Sequence, residues 1–146
     1  MTIQPFEIKP YKSLGSVAFG MATEEARKSM GNEKYTPFQK SQDEYSPVDA
    51  YDDLGVYIYY DKNDRVESFE VMDNCKITYD GEMLMGKNIA KFVLWLESNG
   101  HKVSESEGFY RVDEFGFGFS GSGDDSVSEK MTKIGYVLVY HERYWD

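Results

Sequence analysis

The stretch Gly20-Met21-Ala22-Thr23-Glu24-Glu25-Ala26-Arg27-Lys28-Ser29-Met30-Gly31 decides the fold. It reads as a loop, a capped short helix and a glycine stop. Thr23 is the expected N-cap, because its hydroxyl can accept one of the orphan N–H groups of a first helical turn. Glu24 and Glu25 follow where the positive end of the helix dipole favours carboxylates. Ala26 and Met30 are four residues apart and share one face. Gly31 adopts a left-handed conformation without steric cost, which ends the helix. The segments after it read as strands that cover this helix.

Working outward, Leu54-Gly55-Val56-Tyr57-Ile58-Tyr59-Tyr60 is rich in β-branched and aromatic residues, as a strand requires. Asp61-Lys62-Asn63-Asp64 is a turn by composition, and Arg65-Val66-Glu67-Ser68-Phe69-Glu70-Val71-Met72 returns as the second arm of a hairpin. Lys76-Ile77-Thr78-Tyr79 is a third strand, closed by the turn pair Asp80-Gly81. A second helix is predicted over 88–98. Ile89, Phe92, Val93 and Leu96 follow the i, i+3, i+4, i+7 rule, Trp95 falls beside that stripe, and Asn99-Gly100 closes it. Two aromatic runs at 109–112 and 115–119, a Ser/Gly/Asp loop at 120–128 and a strand at 133–140 complete the chain. The short alternation Phe6-Glu7-Ile8-Lys9 before Pro10 reads as an edge strand. Residues 32–50 are polar, contain Pro37 and Pro47, and read as a long loop with a helical turn.

The order helix, then antiparallel strands, occurs twice. Residues 21–30 correspond to 85–94, with Ala26 over Ala90, 53–58 correspond to 114–119, and 65–72 to 133–140. One such unit buries little core, and two side by side can share one. The expected fold is therefore α+β: tandem helix–β-hairpin repeats forming one antiparallel sheet, with the helices packed on one face. It is a single domain of two related units, at about 13–80 and 81–146.

Length and charge bound the function. A chain of 146 residues suits one domain. Its net charge of −10 opposes nucleic acid and anionic membrane and suits a basic protein partner. Cys75 is the only cysteine, so no intramolecular disulfide is possible. The opening residues lack a basic region followed by an apolar core, and no apolar run approaches the ~20 residues that span a bilayer. The expected location is cytoplasmic.

Catalytic chemistry has little support in the residues. His101 and His141 have no partners at metal spacing. Cys75 reads as a buried thiol without a neighbouring base. Gly116-Phe117-Gly118-Phe119-Ser120-Gly121-Ser122-Gly123 has strand periodicity, and no Lys-Ser or Lys-Thr follows it as in a phosphate loop. Asp124-Asp125 lacks further calcium ligands. Asp43-Glu44 and Asp52-Asp53 read as solvated carboxylates. The expectation is a non-enzyme with no cofactor and no metal. Alternation along the strands is more informative. Val56, Ile58, Phe69, Val71, Phe117, Phe119, Val137 and Val139 point inward. Tyr57, Tyr59, Glu70, Tyr136, Leu138 and Tyr140 then share the opposite face, with a shallow place at Gly118. With Asp52 and Asp53 they are the candidate partner-binding residues, since rigid amphipathic tyrosines bind at low entropic cost.

Phe19-Gly20-Met21-Ala22-Thr23-Glu24-Glu25-Ala26-Arg27-Lys28-Ser29-Met30-Gly31, with the aromatic strand and hairpin that follow, resembles a G-M-T-x-E-E-x-R-x-x-x-G pattern. That pattern occurs in the helix–strand units of β-lactamase inhibitor protein-like folds and of small outer-membrane assembly lipoproteins. With the aromatic end Tyr144-Trp145-Asp146, the chain looks like the cytoplasmic immunity proteins of bacterial toxin systems. It departs from the pattern at Ala22, which moves the cap to Thr23, and it lacks a lipoprotein signal. The resemblance implies an inhibitor that neutralises a basic toxin domain by direct binding. The alternatives are a small-ligand-binding or enzymatic domain using the acidic loop 32–53, and a scaffolding module.

Overall fold

The computed structural model describes residues 6–121 and 132–145. The chain runs β1 (Phe6–Lys9), β2 (Ser13–Leu14), β3 (Val17–Ala18), α1 (Thr23–Ser29), β4 (Thr36–Gln39), β5 (Pro47–Tyr51), β6 (Val56–Tyr60) and β7 (Val66–Met72). It continues with β8 (Ile77–Tyr79), β9 (Glu82–Met83), α2 (Ile89–Ser98), β10 (Ser104–Ser106), β11 (Phe109–Val112), β12 (Phe117–Gly121) and β13 (Ile134–Tyr140). The α+β class is as expected, but the strands form two sheets and not one. An eight-stranded antiparallel sheet has the order β10-β11-β12-β13-β7-β6-β5-β4. A five-stranded sheet has the order β3-β2-β1-β8-β9 and includes one parallel pair, β1 with β8.

Both sheets and both helices contribute to one core. The inner face of the large sheet carries Val56, Ile58, Phe69, Val71, Phe117, Phe119, Val137 and Val139, all buried as the alternation predicts. Ile8, Leu14 and Ile77 from the small sheet join them, with Leu84 just after β9, Ala26 of α1 and Met30 at its C-cap, and Ile89, Phe92 and Leu96 from α2. Phe92 meets Phe119 with ring centroids 5.3 Å apart, which seats α2 on the inner face. Asn88 caps α2, its side chain accepting from the Lys91 N–H at 3.0 Å.

Four expectations are corrected. Helix α1 is capped one residue earlier than predicted, at Ala22. Glu25 Oε1 accepts from the Ala22 N–H at 3.2 Å, while the Thr23 hydroxyl donates to the Asp64 carbonyl. The carboxylate three positions along thus supplies one half of a capping box, the bond back to the N-cap N–H, while Ala22 supplies no side-chain acceptor. Strand β1 is not an edge, because β2 pairs on one side of it and β8 on the other. Residues 32–50 are not a long loop: β4 and β5 form a hairpin with Phe38 opposite Val48. Gly118 leaves no shallow place, because a Cβ there would lie 2.4 Å from the Phe109 ring, which covers it. The Ser/Gly/Asp loop falls largely in 122–131, outside the described residues.

The β4–β5 hairpin was hidden by Asp49, a carboxylate in mid-strand. Its partner across the ladder is Ile58, so it faces the core, and it is 1% exposed. Arg27 Nε and Nη2 each donate to it at 2.8 Å, and the Tyr60 hydroxyl donates at 2.7 Å. Three donors on one carboxylate offset much of its desolvation. Arg27 also stacks over Tyr35, 4.7 Å from the ring centroid. The pair ties α1 to β5. Removing the cation leaves Asp49 buried and uncompensated, and Arg27 is a third exposed, which softens the effect. Arg27→Met should therefore cost about 2 kcal/mol in urea unfolding, whereas Lys28→Met, on the exposed face of the same helix, should stay within about 0.5 kcal/mol.

Candidate functional site

The outer face of the large sheet is half-covered. By register, Tyr57 and Tyr59 of β6, Ser68 and Glu70 of β7, and Tyr136, Leu138 and Tyr140 of β13 all lie on it. Phe109 and Arg111 of β11 lie beyond Gly118 on the same side. Leu138 lies opposite Glu70, which lies opposite Tyr57, and Tyr140 lies opposite Ser68, which lies opposite Tyr59.

Glu70 is the centre of this face. Tyr59 donates its hydroxyl to one carboxylate oxygen, and Tyr136 donates to the other at 2.5 Å. One tyrosine comes from the first half of the chain and one from the second, so the carboxylate clamps the β6–β7–β13 seam. Burial and the hydrogen bonds to Glu70 push both phenols well above the ordinary tyrosine range. Both phenols therefore stay neutral and act as donors to Glu70.

The C-terminal turn folds back over the same face. Tyr144 and Trp145 pack on Tyr140, with centroids 5.8 and 5.3 Å away. Arg111 sits 3.9 Å from the Trp145 centroid. On the other flank the β4–β5 loop is pinned by the Tyr45 hydroxyl, which donates to Asp64 Oδ1 at 2.5 Å. Between these walls lies an open groove of about 820 Å³. Tyr59, Ser68, Glu70, Tyr136 and Leu138 form its floor, and Lys40, Glu44, Tyr45, Glu67, Tyr144 and Trp145 stand around it.

The structure thus brings Tyr59, Glu70, Tyr136 and Leu138 together. Leu138 is 8% exposed and Tyr140 1%, so these two support the face from beneath and are not its surface anchors. Tyr57 lies outside the groove, its hydroxyl donating to Asp52 Oδ1 at 2.8 Å. Asp52 and Asp53 are exposed in the β5–β6 turn. Sequence reasoning missed Lys40, Tyr45, Tyr144 and Trp145 as walls of the groove. The signal was present in the aromatic C-terminal segment, but its direction of folding is a long-range matter.

The remaining chemical candidates lie elsewhere. Cys75 is buried, which pushes its thiol up to about 12. His101 Nδ1 is 2.8 Å from Glu114 Oε2. His141 packs edge-on against Phe19 and Tyr144. Among the described residues no group of three or more His, Cys, Asp or Glu is placed to hold a metal ion, and no helix is long and apolar enough to cross a membrane. Comparison with family models, curated proteins and solved structures found no match.

Buried phenols make the fold sensitive to alkali. Burial pushes Tyr51 up to about 12, and burial with carboxylate contacts raises Tyr59, Tyr60, Tyr136 and Tyr140 further. These groups are acids whose folded pKa exceeds the unfolded value of about 10. Their contribution to stability is complete below about pH 10 and is lost as pH rises through and beyond it, because the unfolded chain then releases protons that the folded chain holds. The melting temperature should fall steeply above about pH 10. Tyrosinate absorbance should rise in two stages, exposed phenols first and the buried set together with unfolding.

Proposed function

We propose that the chain is a non-catalytic protein-binding domain of the immunity type, which neutralises a basic toxin domain by covering it. The observation that carries this reading is the groove on the outer sheet face, floored by Tyr59, Glu70 and Tyr136 and edged by Glu44 and Glu67. Aromatic side chains supply contact area with few rotors to freeze. Carboxylates around them, in a chain of net charge −10, steer a basic partner and speed its association. Such an inhibitor needs rigidity, and the hydrogen bonds to Glu70 supply it. A cytoplasmic location fits this role.

The order of elements supports two related units, at about 13–80 and 81–146. Helix α1 is followed by β4 to β7, and α2 by β10 to β13. The residue before each helix bridges to the residue before the last strand of its half, Ala22 with Arg65 and Asn88 with Lys133. The two sets of four strands meet at β7 and β13, so the groove lies across the junction of the units.

The small-ligand or enzymatic reading shares part of this site, because Lys40, Glu44 and Tyr45 come from the 32–53 segment and line the groove. A small molecule that raises the melting temperature and is lost with Tyr136→Ala would favour it. The protein-binding reading predicts a different outcome. A basic protein is captured from the native lysate at low salt and partly released at high salt. Once that protein is purified, the double variant Tyr57→Ala, Tyr136→Ala should bind it about a hundredfold more weakly while retaining the native circular dichroism spectrum. Unchanged affinity would remove the outer face from the interface.

A further inference from the structure

We infer that the Glu70 groove is a socket for a single arginine side chain of the partner protein, which rests on the protein-binding reading above. Glu70 is only partly buried, yet among the described residues it has no basic side chain within ion-pair distance. Its two hydrogen bonds come from neutral phenols, so they orient the carboxylate without pairing it with a cation. An ionised carboxylate has about four acceptor sites. The two tyrosines use one on each oxygen and leave one on each, which matches the paired N–H donors of a guanidinium.

The walls of the groove also select a cation. Tyr59, Tyr136, Tyr144 and Trp145 line the same groove as the carboxylate, and the faces of such rings attract positive charge. Two intrachain cations already use them. Lys40 Nζ lies 5.3 Å from the Tyr59 centroid, and Arg111 lies over Trp145. Lys40 comes from the exposed β4–β5 loop and reaches the ring without pairing with Glu70, so it occupies the rim and leaves the floor open. Glu44, Asp61, Glu67 and Glu70 outnumber Lys40 and Lys62 in the lining, so the net charge of the groove disfavours a phosphate or nucleic-acid ligand. A planar guanidinium satisfies the carboxylate and stacks on the rings together, which a compact ammonium does less well.

The test is an NMR titration of the full chain with a hexa-arginine peptide at near-physiological salt, with a hexa-citrulline peptide as the neutral isostere. The arginine peptide should shift amides of β6, β7, β13 and the 141–145 turn, and the citrulline peptide should shift none. Glu70→Gln removes the charge, keeps an acceptor for one phenol and meets the other with its amide N–H, and should weaken the arginine peptide about tenfold, whereas the remote acid change Glu105→Gln should weaken it less than about twofold. Lys40→Gln, which frees the Tyr59 ring, should tighten binding about threefold more than the equal charge change Lys76→Gln. Equal effects of Glu70→Gln and Glu105→Gln, equal effects of the two lysine variants, or binding of the citrulline peptide would each overturn the socket. If the socket fails while the Tyr57, Tyr136 double variant still loses the captured partner, the face binds through aromatic contact alone and only this inference falls. If the double variant also keeps the partner, the protein-binding reading of this face falls with it.

Discussion

The antiparallel pairing of β7 with β13 is the constraint on which the rest depends. It joins two sets of four strands into one sheet and sets Val71 beside Val137 and Phe69 beside Val139 on the inner face. The same register puts Glu70 beside Leu138 and within reach of Tyr136 on the outer face. A slip of one residue would exchange the faces, sending valines into water and the Glu70 carboxylate into the core. The apolar inner face thus specifies where the polar outer cluster forms. The hydrogen bonds of Tyr59 and Tyr136 to Glu70 then lock the same register from the other side.

A second polar anchor works one strand in from the edge of the sheet, on β5. Asp49 holds α1 to β5 through Arg27 and takes a hydrogen bond from Tyr60 of β6. Glu70 and Asp49 are both mid-strand acids, but they have different surroundings. Asp49 is buried with a guanidinium, so its charge is neutralised within the fold. Glu70 is held by neutral donors beside an open groove, so its charge remains available to a partner. On the protein-binding reading proposed above, one acid serves the architecture and the other the interface.

Much of the fold was legible because it follows from local periodicity. The inner-face set from Val56 to Val139, helix α2 with its Asn99-Gly100 close, and the Asp80-Gly81 turn all read directly from neighbouring residues. The same alternation also put Tyr59, Glu70 and Tyr136 on one face. What could not be read depends on partners far apart in the chain. Asp49 looked like loop polarity because Arg27, 22 residues earlier, is what permits its burial. Strand β1 looked like an edge because its parallel partner β8 lies about 70 residues away. The Gly118 depression was misread because Phe109 fills it, and the covering of Tyr140 by Tyr144 and Trp145 depends on a reversal after β13 that no pattern encodes.

One rival surface remains, the outward side of α2, where Leu94 and Trp95 are exposed. Hydrogen–deuterium exchange of the chain, alone and saturated with the basic protein that the proposed function expects to be captured, separates the two surfaces in one experiment. Slowed exchange is expected in β6, β7, β13 and the 141–145 turn, with α2 unchanged. Protection confined to α2, with the Glu70 strands exchanging as in the free chain, would contradict it.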